Sequence, residues 1–126
     1  LLISAGPPGT GCPVIASVSG TEVVVIVTEP TVSGVHDMER VMQLTAHFGV
    51  PTYVVVNKAD LNAEQTARIE AIAENAGSRV IGTIPFDRAV NDALMSGHTV
   101  IEHGPSAAAA AIKEIWSELQ NIVNDL

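Results

Sequence analysis

Short apolar runs and longer amphipathic segments alternate along this chain. The runs at residues 1–4, 23–28, 52–57 and 79–84 are rich in Val and Ile and have the length of ordinary strands. Between and after them, apolar residues recur at helical spacing, with Gly, Pro or a capping side chain at the boundaries. Strands that alternate with helices predict parallel βα units, so we expect an α/β domain with helices on both faces of a mostly parallel sheet.

Two helices are expected between the strands. The first covers about residues 34–48, with Thr31 or Ser33 as its cap. The second follows Asn62, which together with Gln65 three residues later resembles a capping box.

Two further helices are expected after the last strand. A short one covers about residues 87–96, and residues 98–106 form a loop-like connector. The final helix begins with Pro105 as its first residue and continues to the end of the chain. Its apolar stripe predicts packing against the sheet and consists of Ile112, Ile115, Trp116, Leu119, Ile122, Val123 and Leu126.

Composition limits the classes of partner. The 126 residues fit one domain, and the formal net charge of −8 opposes the electrostatic term that dominates nucleic-acid affinity. We therefore expect neither DNA nor RNA as a partner. No apolar run approaches the roughly 18 residues of a membrane span, so no membrane partner is expected. The single cysteine, Cys12, excludes an internal disulfide, and a cytoplasmic location is the default expectation.

Residues 53–60, Tyr-Val-Val-Val-Asn-Lys-Ala-Asp, end a predicted strand in side chains suited to binding a purine. Asn57 offers a donor and an acceptor, the stem of Lys58 can lie over a ring, and Asp60 can accept ring N–H groups. Open α/β sheets bind nucleotides at the carboxyl ends of their strands. A polar turn, in which Asn57 bonds local backbone groups and Asp60 is solvated, explains the same pattern.

Each predicted strand is followed by polar or Gly-rich residues. Because parallel strands end at one edge of a sheet, these loops should meet at a common rim, where helix N-termini favour anions. The four loops are residues 6–13, 29–31, 57–60 and 85–87.

The Gly-rich loop at residues 6–13 is not a Walker A motif. Gly6 and Gly11 have the spacing of the glycines in G-x-x-x-x-G-K-[ST], but Cys12 stands where lysine is required. Pro7 and Pro8 also lack the N–H groups that a phosphate cradle uses. The loop predicts a rigid strand-to-helix turn, which either senses a terminal phosphate through the N–H of Gly9 or Gly11 or binds no ligand.

Four ordered motifs resemble the later half of a MinD/ParA-like P-loop ATPase, and more narrowly the subgroup with an inserted ferredoxin domain. The motifs span almost the whole chain. They are Gly-Pro-Pro-Gly-x-Gly-Cys-Pro at 6–13, Val-Thr-Glu-Pro-Thr-Val-Ser-Gly-x-His-Asp at 27–37, Asn-Lys-Ala-Asp at 57–60 and Ile-Pro-Phe-Asp at 84–87. The resemblance implies a P-loop NTPase-like, three-layer α/β/α fold and a cytoplasmic ATPase that dimerises around two nucleotides, using ATP and Mg²⁺.

The resemblance also implies roles for individual residues. Asn57 would bond the adenine, Pro85 and Asp87 would frame the base, and His36 and Asp37 would lie near the nucleotide rim or the dimer face. Neither catalytic nor metal-ligating residues are expected. The candidate cofactor-binding residues are Gly6, Gly9, Gly11, Glu29, Pro30, Asn57, Lys58, Asp60, Pro85, Phe86 and Asp87.

Parts of the family pattern are absent from the sequence. It contains no Gly-Lys-Ser/Thr, and Ala5 stands where the family usually has an Asp. We therefore interpret residues 1–126 as the C-terminal portion of a nucleotide-binding domain that lacks its Walker A strand. This portion is expected to hold neither ATP nor Mg²⁺ by itself and to be inactive as an ATPase. Because the missing strand leaves apolar sheet edges uncovered, homodimerisation or other self-association is expected.

Three functions remain open from the sequence. The first is an adenine-binding part of an ATPase whose full form couples ATP to iron–sulfur or redox work, with the cluster in a ferredoxin insert absent from this chain. The second is a fragment of a GTP-binding domain that reads guanine through residues 57–60. The third is a non-catalytic interaction module.

Overall fold

The computed structural model describes residues 3–6, 18 and 20–126. In this part of the chain, three strands form a parallel sheet in the order β1-β2-β3, and helices connect and follow them. The strands are β1 (Val24–Thr28), β2 (Thr52–Asn57) and β3 (Arg79–Ile84). The helices are α1 (Val32–His47), α2 (Ala63–Asn75), α3 (Arg88–Met95), α4 (Val100–His103) and α5 (Ala107–Asn124), and a 3₁₀ turn covers Ala59–Leu61.

Strand register brings the carboxyl ends of the three strands to one edge. β1 and β2 pair in phase, and β2 and β3 pair in phase up to Val54 opposite Val80. The next pair is Val55 with Gly82, so Ile81 is an extra residue that makes a bulge in β3. The ends of the strands remain level despite the bulge, because Asn57 pairs with the last residue of β3.

The sheet is covered on two faces, which confirms the predicted layered α/β architecture. Val54 and Val56 of β2 point to the α1 and α2 side, whereas Val55 between them points to the other side. On that other side α5 packs on β3, with Ile115 over Gly82. The main core cluster consists of Val35, Met38 and Met42 of α1, Val54 and Val56 of β2, and Ile69 and Ala73 of α2.

The predicted caps of the first two helices are partly correct. Thr31 is the N-cap of α1, since its Oγ1 accepts a hydrogen bond from the Gly34 amide at 2.9 Å, and the helix therefore begins two residues before the predicted start. Asn62 caps α2 by accepting from the Gln65 amide at 3.1 Å. The reciprocal half of the capping box is missing, because Gln65 Oε1 is buried without a hydrogen-bond partner in the described part of the chain.

The C-terminal region departs from the prediction in two places. The expected connector at residues 98–106 contains α4, which Thr99 and Glu102 close with a complete capping box. Pro105 is not the first residue of the last helix, because the Ser106 side chain accepts from the Ala109 amide at 3.1 Å and makes Ser106 the N-cap.

The strand predicted at residues 1–4 is not found in its described half. Ile3 and Ser4 have no regular secondary structure, and Ile3 is 69% exposed. Leu1 and Leu2 lie outside the described residues. A strand needs a neighbour for its backbone groups, and among the described residues β1 pairs with β2 alone. The predicted strand is therefore wrong for residues 3 and 4.

The final helix packs against the sheet as predicted, through part of its stripe. Ile115 contacts the sheet and Ile122 is buried, whereas Trp116 is 41% and Leu126 60% exposed. Among the described helices, none combines the length and the apolar content that crossing a bilayer requires.

Candidate functional site

Side-chain contacts join the loops that follow β1, β2 and β3 at the carboxyl edge of the sheet. In the following, the loops after β1, β2 and β3 are called the first, second and third loops. Lys58 Nζ of the second loop lies 3.3 Å from Glu29 Oε1 of the first loop. Asp60 Oδ1 of the second loop accepts a hydrogen bond from the Phe86 amide of the third at 2.7 Å. Three of the four predicted rim loops therefore meet, in the order in which their strands lie in the sheet.

The loop after β1 is pressed against the first turn of α1. The buried Thr28 hydroxyl donates to the carbonyl of Gly34 at 3.1 Å, and the Thr31 amide donates to the Glu29 carbonyl at 2.8 Å. A Cβ on Gly34 would lie only 2.4 Å from that Glu29 carbonyl oxygen. The absence of a side chain at Gly34 thus allows the helix to begin directly behind the loop, where Pro30 is buried.

The loop after β2 begins with an unusual backbone conformation. Lys58 has φ 54° and ψ 41°, and it is the one non-glycine residue with positive φ in the part of the chain that the structure describes. This left-handed conformation costs about 1 kcal/mol for an L-residue. It turns the chain into the Ala59–Leu61 turn, which the Thr66 hydroxyl ties to α2 by donating to the Ala59 carbonyl at 2.7 Å.

The Lys58–Glu29 ion pair adds little to the stability of the fold. The two side chains are 42% and 50% exposed, and pairs with this much solvent contact contribute little to the free energy of folding. The contact shows that the first and second loops lie side by side at the rim. It also directs the Lys58 ammonium across the rim towards β1.

Asn57 and Asp60 do not behave as the polar-turn interpretation requires. Asn57 is half-buried at the end of β2, and its side chain makes no hydrogen bond to another described residue. Asp60 is exposed but bonds the Phe86 amide, 26 residues away, rather than solvent alone. The Asn57 amide is thus available for a ligand, whereas one oxygen of Asp60 is already engaged.

Asp87 joins two helix N-termini. Its Oδ1 accepts from the Ala89 amide of α3 at 2.9 Å, and its Oδ2 accepts from the Ala108 amide of α5 at 3.0 Å. These hydrogen bonds, Ala108 first and Ala89 second, hold the pKa of Asp87 below its usual range. Both oxygens are occupied by backbone groups, so this carboxylate positions the third loop and the start of α5.

The lowered pKa of Asp87 predicts a loss of stability in acid. A carboxyl group whose folded pKa is depressed stabilises the native state above its ordinary pKa of about 4, and the contribution is lost as the pH falls through the folded pKa. Asp87→Asn should therefore be less stable than the wild type at neutral pH, with the difference narrowing below about pH 4. Urea unfolding between pH 2 and 7 measures this.

Asn91→Ala, an uncharged change on the exposed side of α3, is the control for the acid experiment and should keep the wild-type pH dependence. A constant difference between Asp87→Asn and the wild type across that pH range would contradict the prediction.

The remaining candidate residues are less well placed by the structure. Pro85 is half-buried and Phe86 is 51% exposed at the rim. Gly6 is exposed, and among the described residues no hydrogen bond links it to the rim. Gly9 and Gly11 lie outside the described residues, and His36 and Asp37 are exposed on α1.

Two cavities of the described structure lie away from the rim. A cavity of about 430 Å³ lies at the amino ends of the strands, beside Pro51 and Ser78, and one of about 360 Å³ lies along β3, beside Arg79 and Thr83. Neither is lined by a candidate residue. Residues 3–6, 18 and 20–126 contain no group of three His, Cys, Asp or Glu side chains arranged for a metal ion.

Sequence reasoning missed Gly34, Thr66 and Ala108. A glycine in the first turn of a helix is unfavourable on propensity alone, and this was the available signal for a close approach at Gly34. Thr66 and the Ala108 amide carried no sequence signal, because their partners are chosen by tertiary packing.

No family model matches the sequence. Two curated relatives, both from Methanocaldococcus jannaschii, are each 29% identical to the chain. One is an uncharacterized protein aligned over 118 residues, which are 94% of this chain and 39% of the relative. The other is an uncharacterized ATP-binding protein aligned over 121 residues, which are 94% of this chain and 46% of the relative. The chain spans less than half the length of either.

Solved structures of MinD and ParA proteins superpose on most of the chain. The cell division ATPase MinD of Pyrococcus furiosus matches with a TM-score of 0.77 and 20% identity, over 93% of this chain and 50% of that one. The chain has the α/β fold of MinD and ParA ATPases. MinD of Aquifex aeolicus matches with a TM-score of 0.67 and 25% identity, over 82% of this chain and 46% of that one. A ParA family ATPase of Chlorobium tepidum matches with a TM-score of 0.66 and 20% identity, over 88% of this chain and 46% of that one.

Proposed function

We propose that this chain is the adenine-binding portion of a MinD/ParA-like ATPase, with the phosphate-binding portion supplied by sequence outside it. The observation that carries the proposal is the linked rim: a half-buried Asn57 amide with no partner among the described residues, between two loops joined to it by side-chain contacts. The MinD/ParA-type fold and the relative named as ATP-binding support it.

Adenine suits the groups that the rim offers. The Asn57 side chain has both a donor and an acceptor, which matches the amino group and the adjacent ring nitrogen of adenine. The Phe86 ring, 51% exposed, supplies an apolar surface for a face of the purine, and the stem of Lys58 supplies another.

The phosphate side of the site does not have its groups in this chain. The sequence has no Gly-Lys-Ser/Thr, and the described residues hold no acidic cluster for Mg²⁺. When bound, Mg²⁺ would neutralise charge that develops on the transferred phosphoryl group. We propose that the 126 residues alone hold neither ATP nor Mg²⁺ and do not hydrolyse ATP.

The motif resemblance supports a narrower proposal. In the ferredoxin-insert subgroup, the full protein would couple ATP to iron–sulfur or redox work, and it would act as a homodimer. The single cysteine of the chain, Cys12, supplies at most one of the four thiolates that such a cluster uses.

The test measures ATP and GTP binding by the full-length protein with Mg²⁺, comparing wild type with Asn57→Ala. We expect the wild type to prefer ATP, and Asn57→Ala to weaken ATP binding about tenfold or more, since a base-pairing amide contributes about 1–3 kcal/mol. Magnesium-dependent turnover is measured in parallel on the full-length protein and on the 126 residues, and only the former should be active.

Asn75→Ala is the matched control, because Asn75 ends α2 on the amino side of the sheet and is exposed. It should bind ATP like the wild type. Preference for GTP by the wild type would favour a GTP-binding domain instead, and the absence of any nucleotide-dependent rise in melting temperature would favour an interaction module.

A further inference from the structure

We propose that Asp60 is a positioning residue for the loop after β3, residues 85–87, and does not read the base. This assignment rests on the proposed nucleotide function and adds a basis for purine selectivity. In an Asn-Lys-x-Asp sequence the Asp is the group suited to recognising guanine, because a carboxylate can accept from both the ring N1–H and the exocyclic amino group. The hydrogen bonding of Asp60 assigns it a different task.

The carboxylate of Asp60 is committed to the backbone of the neighbouring loop. Its Oδ1 accepts from the Phe86 amide at 2.7 Å, the short distance of a charge-assisted bond. Pro85, just before Phe86, has no N–H, so Phe86 carries the first amide of this loop. Asp60 therefore holds the loop at its first available donor.

The next residue continues the same arrangement. Asp87 directs one oxygen to the Ala89 amide and the other to the Ala108 amide. Two carboxylates thus hold the loop from both sides, with Asp60 attaching it to the turn after β2 and Asp87 attaching it to α3 and α5. These attachments restrain the backbone on either side of the Phe86 Cα and so the position from which its ring projects.

Adenine selectivity follows from which groups remain available. Adenine has no N1–H and therefore does not need a carboxylate acceptor, whereas guanine does. The Asn57 amide has no partner among the described residues, whereas one of the two Asp60 oxygens already accepts from the Phe86 amide, so binding both guanine N–H groups through this carboxylate would compete with that bond. The pattern that suits guanine in sequence thus presents a site for adenine in three dimensions.

The experiment compares Asp60→Ala and Asp60→Asn in the full-length protein, with ATP, GTP and xanthosine triphosphate as ligands. Removing the acceptor in Asp60→Ala should weaken ATP binding about tenfold, the effect of losing one charge-assisted hydrogen bond. Asp60→Asn keeps an oxygen that can accept from the Phe86 amide, so its ATP binding should stay within about threefold of the wild type. Neither variant should bind xanthosine triphosphate.

A second measurement follows the contact without nucleotide. Amide hydrogen exchange of Phe86 in the 126-residue chain should accelerate about tenfold in Asp60→Ala and little in Asp60→Asn, because exchange reports the opening of that hydrogen bond. Asp92→Ala, which removes an exposed carboxylate from α3, is the matched control and should change neither ATP binding nor Phe86 exchange. Urea unfolding of each variant separates loop release from global destabilisation.

Several outcomes overturn the assignment. Xanthine carries a carbonyl oxygen where guanine has its amino group, so binding of xanthosine triphosphate by Asp60→Asn would show that this position reads the base. Unchanged ATP binding in Asp60→Ala would show that the contact positions nothing of consequence. If the wild type binds no ATP, the proposed function itself fails, and the role of Asp60 in binding fails with it. If the wild type binds ATP but Asp60→Ala or Asp60→Asn does not behave as expected, the positioning role of Asp60 is wrong and the proposed function stands.

Discussion

Gly34→Ala is expected to lower the free energy of unfolding by about 2 kcal/mol, although alanine is normally the better helix residue by about 1 kcal/mol. The added Cβ would lie 2.4 Å from the Glu29 carbonyl oxygen and about 3 Å from the hydroxyls of Thr31 and Thr28. The nearest of these atoms belongs to the backbone, so either α1 or the loop after β1 must move. Urea unfolding followed by circular dichroism measures the change.

The same substitution should disturb the candidate site, because Glu29 forms the ion pair with Lys58. Ser33→Ala is the matched control, one residue earlier in the same helical turn and exposed, and it should stay within about 0.5 kcal/mol of the wild type. A Gly34→Ala protein as stable as that control would mean that the first loop is not pressed against α1.

Gly82→Ala is expected to destabilise the chain by about 1–3 kcal/mol, through overpacking between β3 and α5. The new Cβ would lie 2.3 Å from Ile115 Cγ1 and 2.9 Å from its Cδ1. Either the Ile115 side chain must leave its preferred position or α5 must shift outwards. Thermal and urea unfolding of the variant measure the loss.

A double-mutant cycle identifies the contact behind this loss. Ile115→Ala alone leaves a void beside Gly82, and the two changes together should cost less than their sum, with a coupling of about 0.5–3 kcal/mol. Gly49→Ala is the comparison, because a Cβ there meets open space and incurs only the strain of its φ of 67°. Its cost should add to that of Ile115→Ala without coupling. If the effects of Gly82→Ala and Ile115→Ala simply add, the two residues are not in contact and the prediction is wrong.

The local pattern was sufficient to predict the strands of the sheet and their common edge. The predicted runs at residues 52–57 and 79–84 match β2 and β3, and the run at 23–28 is one residue longer than β1. Runs of Val and Ile this short are stable when buried on both faces of a parallel sheet, and parallel strands must end at the same side. The meeting of the three loops therefore followed from strand order without any knowledge of side-chain contacts.

Local pattern was misleading where a segment depended on a distant partner. Residues 3 and 4 belong to a predicted strand, but strand formation requires a neighbour, and none pairs with them in the described part of the chain. Pro105 suits the first position of a helix, yet Ser106 begins α5, since its side chain and that of Asp87 together supply acceptors for the first free amides. The connector at residues 98–106 contains α4 because Thr99 and Glu102 satisfy each other's backbone groups.

The amino-acid sequence alone determined that this chain forms βα units and that Asn57, Lys58 and Asp60 follow a buried strand, because residue spacing and strand burial are local properties. Only the tertiary structure decided which of these groups is available to a ligand. Asp60 bonds the Phe86 amide 26 residues away, and Asp87 bonds the Ala108 amide 21 residues away. Hydrogen-bond partners at such separations depend on how helices pack across the sheet, and residue spacing carries no information about that packing.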